Sequence, residues 1–240
     1  MKPSIVHLRV DRVAREVCEA AKGATVSDLH EAMASRDGLM SSRMRPLNRG
    51  IRIAGPAVTA FCAPGDNLMM HRALYLSQPG DVLVVVCADE TSGAQWGDIA
   101  ARYAAHKGLA GVVVHGCIRD TDTLEEMRFP VWATAISPAR PEKRGHGKVN
   151  APVSCDGVIV SPGDLIVADG DGVLCVPRDS AAETVARARQ RVEREETFAA
   201  AIRSGGHPWD FAGIGASYAT LDVEEVDAPY GYNERRLLSD

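Results

Sequence analysis

The chain lacks the features that mark several common protein classes. No apolar run approaches the length of a membrane-spanning helix, and the first residues do not have the basic-then-apolar pattern of a signal peptide. The six cysteines include no Cys-x-x-Cys pair, so the pattern predicts reduced core residues rather than disulfides or a zinc centre. We therefore expect a cytoplasmic protein with no membrane partner.

An excess of basic charge is also missing. The net charge is −5, and neutralising nucleic-acid phosphates requires clustered Lys and Arg, so we predict no nucleic-acid partner. The one local exception is the basic stretch 36–52. We interpret it as the cover of a turn or as a subunit contact, with a pocket for an anionic substrate as the alternative.

Several catalytic motifs are absent as well. The chain has no His-Glu-x-x-His zinc motif and no glycine-rich nucleotide loop. A Schiff-base aldolase needs a desolvated lysine. The few lysines lie in polar or terminal contexts, which disfavours that mechanism; they are Lys2, Lys22, Lys107, Lys143 and Lys148.

Alternating strand and helix patterns predict an α/β core. With 240 residues and 45% hydrophobic content, the chain can bury a sizeable core. Residues 81–87 form a continuous apolar run typical of a buried strand, a helix pattern follows from 98 to 108, and 111–114 predicts the next strand. We expect one domain over residues 1–204, and a glycine-rich arm over 205–240 that packs on a neighbouring subunit.

Asp98, Arg119 and Asp120 are the main candidate site residues. Asp98 falls at the start of the predicted helix, and the Arg119-Asp120 pair follows the next strand after twenty intervening residues. Ligands of open α/β sheets bind at the carboxyl ends of strands, so we expect both segments to line one pocket. The alternative is that Asp98 only caps a helix and that Arg119 and Asp120 form a surface ion pair.

These residue types fit the binding of a 2-oxo acid. The first N–H groups of the helix, around Ile99 to Ala101, lack intrahelical partners and favour a substrate carboxylate. Arg119 can hold an anion with two hydrogen bonds. Asp120, with Asp98 acting directly or through water, can hold a hard divalent cation.

Other polar residues receive structural interpretations. His115 ends a predicted strand and could line the pocket as a proton carrier, but a packing role is favoured. Residues 151–178 predict β-structure with hairpin turns at 161–163 and 170–172, where Asp164, Asp169 and Asp171 are ordinary turn residues. Residues 180–204 predict a helix capped by Ser180.

Four segments of the chain together resemble the RraA-like family. They are Gly97-Asp98, Arg119-Asp120 after twenty residues, Ser161-Pro162-Gly163-Asp164, and the stretch DGDGVLCVP at 169–177. The resemblance covers about residues 57–178. The family takes its name from a regulator of ribonuclease activity. It also includes class II pyruvate aldolases that act on 4-hydroxy-4-methyl-2-oxoglutarate and 4-carboxy-4-hydroxy-2-oxoadipate.

The resemblance implies a fold, an assembly and roles for the site residues. It implies a compact α/β/β/α domain with a C-terminal helix, in trimers or hexamers whose active sites lie between subunits and use Mg²⁺ or Mn²⁺. By position, Asp120 is the metal ligand and Asp98 acts through a water on the metal. The other roles are carried over as follows: pyruvate is held by Arg119 with Gly97, Ile99 and Ala100, and a glutamate comes from the neighbouring subunit's C-terminal helix, with Glu193, Glu195 and Glu196 as candidates.

The activity implied is retro-aldol cleavage of a 4-hydroxy-2-oxo di- or tricarboxylic acid to pyruvate and a second 2-oxo acid. Decarboxylation of oxaloacetate is the expected side activity, because it forms the same enolate. Arg43, Arg45 and Arg72 are candidates for reading an extra carboxylate, and His115 stands where many relatives have an acidic residue. The competing hypothesis is a non-catalytic regulator that binds and inhibits a ribonuclease.

Overall fold

A computed structural model describes residues 4–35, 37–87, 93–227 and 229. The chain divides into two compact units, Met1–Val192 and Glu193–Asp240. The division at residue 204 and the interface role of the arm stay predictions. In the second unit, Phe198 packs on Phe211 and Trp209 packs on Tyr218, with ring centroids 5.4 and 5.0 Å apart.

Strands and helices are interleaved up to residue 136, and five short strands follow before the long helix that starts at Arg178. The helices are α1 (Arg15–Ala21), α2 (Val26–Ala32), α3 (Leu68–Leu76), α4 (Asp98–Lys107), α5 (Thr121–Met127), α6 (Arg178–Arg203), α7 (Pro208–Phe211) and α8 (Ile214–Tyr218), the last two in the second unit. The strands are β1 (Ile5–Val6), β2 (Arg45–Pro46), β3 (Ile53–Cys62), β4 (Val82–Cys87), β5 (Ala94–Trp96), β6 (Gly111–Ile118), β7 (Val131–Ile136), β8 (Gly147–Val149), β9 (Val153–Cys155), β10 (Val158–Val160), β11 (Leu165–Ala168) and β12 (Val173–Val176).

The centre of the fold is a parallel sheet in the order β3-β4-β6-β7. These strands are nearly continuous apolar runs because both faces of the sheet are covered. The first half of β3 also pairs with β11, which pairs in turn with β12, both antiparallel. Strands β9 and β10 form a separate hairpin.

Alternate residues of the strands build four layers. Leu83 and its neighbours on one face of the sheet pack against α3, α4 and α5. Val84 and its neighbours on the other face pack against β9 to β12. The outer face of β11 and β12, including Leu165 and Leu174, packs against α1, α2 and α6. The order is α/β/β/α, and the mixed α/β prediction is confirmed.

The β-rich segment differs from the sequence prediction at one turn. The hairpin at 170–172 is confirmed, since Ala168 pairs with Val173. Residues 161–163 do not make a hairpin, because β10 pairs with β9 and β11 pairs with β3. The other hairpin turns at Asp156-Gly157, where both residues have positive φ (48° and 86°) as a two-residue type I′ turn requires.

Helix α6 begins earlier than predicted. It starts at Arg178, so Ser180 lies inside the first turn and the prediction that it caps the helix is wrong. The backbone N–H of Arg178 is bonded by Asp164 Oδ1 at 3.0 Å, and Asp164 Oδ2 accepts from Ser161 N at 2.8 Å. These bonds satisfy backbone groups, as expected of a turn residue.

The expectations for the cysteines and for Asp169 hold. All six cysteines are buried, and burial raises the pKa of Cys18 to about 11 and that of Cys62 to about 12. Asp169 Oδ2 accepts from Val26 N at 2.9 Å, at the start of α2. Among the described residues, no helix has both the length and the apolar character needed to span a bilayer.

Candidate active site

Two adjacent parallel strands, β5 and β6, end side by side. Trp96 pairs with Ile118, and the N–H of Arg119 donates to Trp96 O at 3.0 Å. The sequence analysis predicted no strand between the run at 81–87 and the helix from residue 98. Residues 88–92 lie outside the described part, but Ala94–Trp96 is a strand. Three residues are too few to show the two-residue hydrophobic alternation of a strand, so β5 is recognised only by its pairing with β6. The Gly97-Asp98 and Arg119-Asp120 segments therefore meet.

A buried glutamine fixes the register of these two strands. The register of the pairing between β5 and β6 shifts between Ala94 and Trp96. Gln95 is fully buried, and its Oε1 accepts from Cys117 N at 3.1 Å. Gly116 makes room for it, because a Cβ there would lie 2.5 Å from Oε1 and its φ is 155°. The bulge thus sets where Arg119 lies relative to Gly97.

The helix start contacts the second carboxylate of the site. Gly97 is the N-cap of α4 and Asp98 is its first helical residue, so the alternative that Asp98 is only a cap is wrong. The N–H of Asp98 donates to Asp120 Oδ2 at 3.2 Å. A Cβ on Gly97 would lie 2.6 Å from the same oxygen, so the approach requires glycine here.

Arg119 and Asp120 form a loose, partly exposed pair. Arg119 Nε lies 3.4 Å from Asp120 Oδ2, and the side chains are 37% and 36% exposed. Asp120 has a left-handed backbone (φ 58°), and its carbonyl accepts from Leu124 N at 3.0 Å as α5 begins. A residue other than glycine costs free energy in the left-handed backbone conformation, and such conformations concentrate at functional sites. Both charged groups are open to a ligand.

One pocket of about 180 Å³ collects the predicted residues. It is smaller than the roughly 300–1,000 Å³ typical of sites for drug-sized ligands, which suits a small acid. The predicted residues that line it are Gly97, Asp98, Ile99, Ala100, Arg119 and Asp120. The other lining residues are Asn67, Met70, His71, Ala94, Trp96, Pro141 and Lys143.

The sequence analysis missed His71 and Lys143. Lys143 belongs to a loop that Asp66 ties to the start of α3: the Asp66 carboxylate accepts from Leu68, Arg144 and Gly145 N–H at 2.8, 2.5 and 2.7 Å. Burial, the largest single influence, raises the pKa of Asp66, but these three donors and Lys143 together lower it below its usual value. No local pattern marks a lysine delivered by such a loop.

The same surroundings lower the pKa of His71. Burial lowers its pKa below 6.5, the positive charge of Lys143 lowers it further, and Asp66 partly offsets both. The imidazole is therefore neutral near pH 7. A neutral imidazole both donates and accepts one hydrogen bond.

The residues present fit a hard divalent cation. Asp120 Oδ2 accepts from the Asp98 N–H and faces Arg119 Nε, while Oδ1 makes no hydrogen bond to a described residue. Within the described ranges, no three His, Cys, Asp or Glu side chains converge as a cluster that could hold a metal. Mg²⁺ is held by one or two carboxylates with several waters retained, so Asp120 and Asp98 suit Mg²⁺ or Mn²⁺.

His115 is not at the pocket. Its Nδ1 accepts from Asp156 N at 2.9 Å, which ties β6 to the β9–β10 turn, in line with the favoured packing role. Glu193, Glu195 and Glu196 lie on the part of α6 that belongs to the second unit and are exposed. Their approach to a neighbouring subunit's site stays a prediction.

The candidate arginines for an extra carboxylate also lie elsewhere. Arg43 and Arg45 line a separate depression with Ile118 and Ile136. Arg72 lies over the Tyr75 ring, 5.4 Å from its centroid. None of the three lines the pocket, whereas Lys143 does.

Comparisons with known proteins agree with this fold. The chain is 38% identical over 168 residues, 69% of its length, to 80% of a Halalkalibacterium halodurans protein provisionally named a 4-hydroxy-4-methyl-2-oxoglutarate aldolase. A Streptomyces coelicolor structure from the RNase ES inhibitor RraA protein family has a TM-score of 0.70 at 31% identity, covering 79% of this chain and 98% of that one.

A Pseudomonas syringae protein described as uncharacterized gives a TM-score of 0.75 at 29% identity, covering 83% of this chain and 93% of its own. The profile of the RraA-like family, described as Aldolase/RraA, matches residues 23–175. That span holds every described residue of the pocket and most of the four layers. The chain belongs to the RraA-like family.

Proposed function

We propose that this protein is a class II pyruvate aldolase. It cleaves a 4-hydroxy-2-oxo di- or tricarboxylic acid, such as 4-hydroxy-4-methyl-2-oxoglutarate or 4-carboxy-4-hydroxy-2-oxoadipate, to pyruvate and a second 2-oxo acid. The observation that carries the proposal is the single pocket that joins Asp98, Arg119 and Asp120 to the N-terminus of α4. The similarity to a provisionally named aldolase supports it.

The pyruvate half of the substrate binds between Arg119 and the helix start. The N–H groups of Ile99 and Ala100 lie in the first turn of α4, where backbone donors favour an anion. Arg119 lies beside them and is only loosely paired with Asp120. These groups hold the C1 carboxylate and stabilise the negative charge that develops on the C2 oxygen.

Asp120 and Asp98 are the residues that would hold Mg²⁺ or Mn²⁺. When bound, the cation supplies a Lewis acid that polarises the 2-oxo group. The Asp98 carboxylate is also contacted by Arg102 Nε at 3.5 Å. It accepts the C4 hydroxyl proton through an intervening water. The C3–C4 bond then breaks, its electron pair moves toward C2, and protonation at C3 gives pyruvate.

The same residues explain the expected side activity. When oxaloacetate loses CO₂, the electron pair of the broken bond also moves toward C2 and forms the enolate of pyruvate. Arg119 stabilises that charge in both reactions. Oxaloacetate decarboxylation and aldol cleavage are therefore expected to depend on the same site.

The deciding experiment is pyruvate release from 4-carboxy-4-hydroxy-2-oxoadipate and from oxaloacetate. Each substrate is assayed with Mg²⁺ or Mn²⁺, then after a chelator, then with metal restored. We expect metal-dependent pyruvate from both. Folded protein that releases pyruvate from neither substrate with metal present would overturn the proposal.

We also propose a homotrimer or hexamer in which a glutamate among Glu193, Glu195 and Glu196 completes the neighbouring site. The exposure of these side chains is compatible with this role. Light scattering would give the oligomeric state. Mixing inactive Arg119→Ala and Glu196→Gln chains after dissociation should restore part of the activity if one site uses both chains, and Glu193→Gln and Glu195→Gln extend the test.

The structural similarity to a protein of the RNase ES inhibitor family supports a second candidate function. In that reading the protein binds a ribonuclease and inhibits it. Stoichiometric recovery of a ribonuclease, from a preparation inactive on every 2-oxo acid tried, would place this function first. Pyruvate release without ribonuclease inhibition would exclude it.

A further inference from the structure

We propose that Asp66 is a positioning residue for the reaction. Its carboxylate joins the start of α3 to residues 139–145, here called the pocket loop, and so holds two walls of the pocket together. Asp66 itself does not line the pocket. The inference deepens the proposed function and rests on it for the reaction, whereas the junction stands on contacts within the fold.

The two walls come from segments that are far apart in the chain. Helix α3 and the residue before it supply Asn67, Met70 and His71, and the pocket loop supplies Pro141 and Lys143. The pocket holds only about 180 Å³. A small displacement of one wall from the other therefore changes a large part of its shape.

The Asp66 carboxylate is the side chain that bonds to both walls. It is 3% exposed. Its Oδ1 accepts from Leu68 N in the first turn of α3 at 2.8 Å. Its Oδ2 accepts from Arg144 N at 2.5 Å and from Gly145 N at 2.7 Å, 78 and 79 residues further along the chain. Hydrogen bonds to an ionised carboxylate are stronger than neutral ones, so this side chain contributes much of the connection.

Backbone hydrogen bonds complete the junction on the other side of Lys143. Asn67 N donates to Glu142 O at 3.0 Å, and Glu142 N donates to Gly65 O at 2.8 Å. Removal of the Asp66 carboxylate would leave these bonds in place and free the 144–145 end of the loop. The expected change is therefore local, next to Lys143, rather than a loss of the fold.

Gly145 allows the carboxylate to approach the loop closely. A Cβ on Gly145 would lie 2.7 Å from Asp66 Cγ, closer than two carbon atoms can pack. An alanine at this position would push the carboxylate away without removing it. The chain thus offers two independent ways to disturb the same junction.

A positioning role and a purely structural role predict different kinetics. Neither Pro141 nor Lys143 takes part in a step of the proposed mechanism, so the loop contacts the substrate and the transition state alike. Loss of such uniform binding raises KM and leaves kcat almost unchanged. A carboxylate that only stabilises the fold would lower the free energy of unfolding and leave KM as it is.

The test compares Asp66→Ala, Asp66→Asn and Gly145→Ala with the wild-type protein. Hydrogen exchange of the Arg144 and Gly145 amides reports on the loop. Steady-state kinetics with oxaloacetate give KM and kcat. Titration calorimetry with pyruvate in Mg²⁺ gives a Kd that does not require turnover, and urea denaturation gives the stability of each variant.

Asp169→Ala is the matched control for the carboxylate. Asp169 is 6% exposed, and its carboxylate accepts from Val26 N and Asp171 N at 2.9 and 3.0 Å. It therefore also bonds to backbone groups of two segments, but it does not line the pocket. Gly170→Ala is the control for the glycine, since a Cβ there meets no atom within 4 Å.

We expect the two amides to exchange at least about 10-fold faster in Asp66→Ala, since each loses a charge-assisted hydrogen bond. The KM for oxaloacetate and the Kd for pyruvate should each rise about 10-fold, with kcat within about 3-fold of the wild-type value. Asp66→Asn should retain part of the effect of the native residue, because its amide oxygen still accepts. Gly145→Ala should resemble Asp66→Ala, and Asp169→Ala should lose stability alone.

Two results would overturn the proposal. Unchanged exchange in both Asp66→Ala and Gly145→Ala would show that the carboxylate does not hold the loop. Faster exchange with an unchanged KM and Kd would show that the junction is only structural. If Asp66→Ala does not fold, Asp66→Asn and Gly145→Ala decide between the same outcomes.

Failure of this inference can be told apart from failure of the proposed function. Metal-dependent pyruvate release with an unchanged KM in the variants would keep the aldolase and remove the role of Asp66. A weaker Kd for pyruvate in Asp66→Ala, in a protein that releases no pyruvate from any substrate, would keep the positioning role and remove the reaction.

Discussion

One Arg–Asp pair lies at the amino ends of the parallel strands, here called the amino edge, and another lies at their carboxyl ends, the carboxyl edge. The two pairs differ in burial and in hydrogen bonding. At the amino edge, Asp81 precedes β4, and its side chain is 1% exposed. Its carboxylate accepts from Arg12 Nε and Nη2 at 2.8 and 2.9 Å and from Gln78 N at 2.6 Å. At the carboxyl edge, Arg119 and Asp120 are 3.4 Å apart and more than a third exposed.

The contrast shows that bonding and burial, rather than residue type, distinguish the two pairs: one is satisfied within the fold, and the other is open to a ligand. The Asp81 carboxylate is committed to three donors, and its hydrogen bond to Arg12 raises the pKa of that guanidinium. Asp120 Oδ1 makes no hydrogen bond within the described part of the chain, and among the same residues Arg119 pairs only with Asp120 through its Nε. We therefore expect substitutions at the amino edge to change stability, and those at the carboxyl edge to change activity.

The largest expected effect is at the amino edge. Asp81→Ala leaves the Arg12 charge without its buried partner and should lower the free energy of unfolding by about 3–5 kcal/mol. Urea denaturation measures this, with activity reported per folded molecule. The double variant Arg12→Met/Asp81→Leu should lose less, because no charge remains unpaired. A loss below 1 kcal/mol in Asp81→Ala would contradict the comparison.

At the carboxyl edge, Arg119→Ala should lower kcat/KM by about 100-fold or more for both oxaloacetate and the aldol substrate, as removal of a charge-stabilising donor does. Its unfolding free energy should stay close to that of the wild-type protein, because the pair is solvated. Arg144→Ala is the matched control, since Arg144 is 86% exposed and does not line the pocket. Wild-type activity of Arg119→Ala on either substrate would count against the shared site.

Two buried tryptophans extend the comparison at a smaller scale. Trp132 Nε1 donates to Asp169 O at 2.8 Å, whereas Trp96 Nε1 at the pocket has no partner among the described residues. Replacing either with Phe removes a similar volume. Trp132→Phe should therefore cost about 1 kcal/mol more than Trp96→Phe, since only it breaks a hydrogen bond. Thermal and urea denaturation of both variants decide this, and equal losses would contradict it.

The smallest expected effect is a pH dependence from His71. Its folded pKa is lowered from 6.5, so the unfolded chain takes up a proton that the folded chain takes up only at lower pH. His71 therefore destabilises the fold as the pH drops below about 6.5 and has no such effect well above it. His71→Gln should flatten this part of the stability profile, while His106→Gln, at an exposed position, should not. An unchanged profile in His71→Gln would show that burial does not set its pKa.

Local patterns in the sequence predicted much of the scaffold. The apolar run at 81–87 contains the strand Val82–Cys87, the helix from residue 98 is Asp98–Lys107, and the next strand is Gly111–Ile118, as expected. Thr25 caps α2, with its hydroxyl accepting from Asp28 N at 3.0 Å. The hairpin at Asp156-Gly157 carries the ordinary sequence signal of a type I′ turn, so it could have been found as well.

The sequence by itself determined the α/β class, the position of Asp98 at a helix start and that of Arg119 and Asp120 after a strand, because hydrophobic period and turn chemistry act over a few residues. Only the tertiary structure decided that β5 exists, that Asp120 reaches the first N–H of α4, and that Lys143 lines the pocket. Each depends on groups distant in the chain: a neighbouring strand for β5, a glycine that permits close approach for Asp120, and a buried carboxylate that tethers the loop of Lys143.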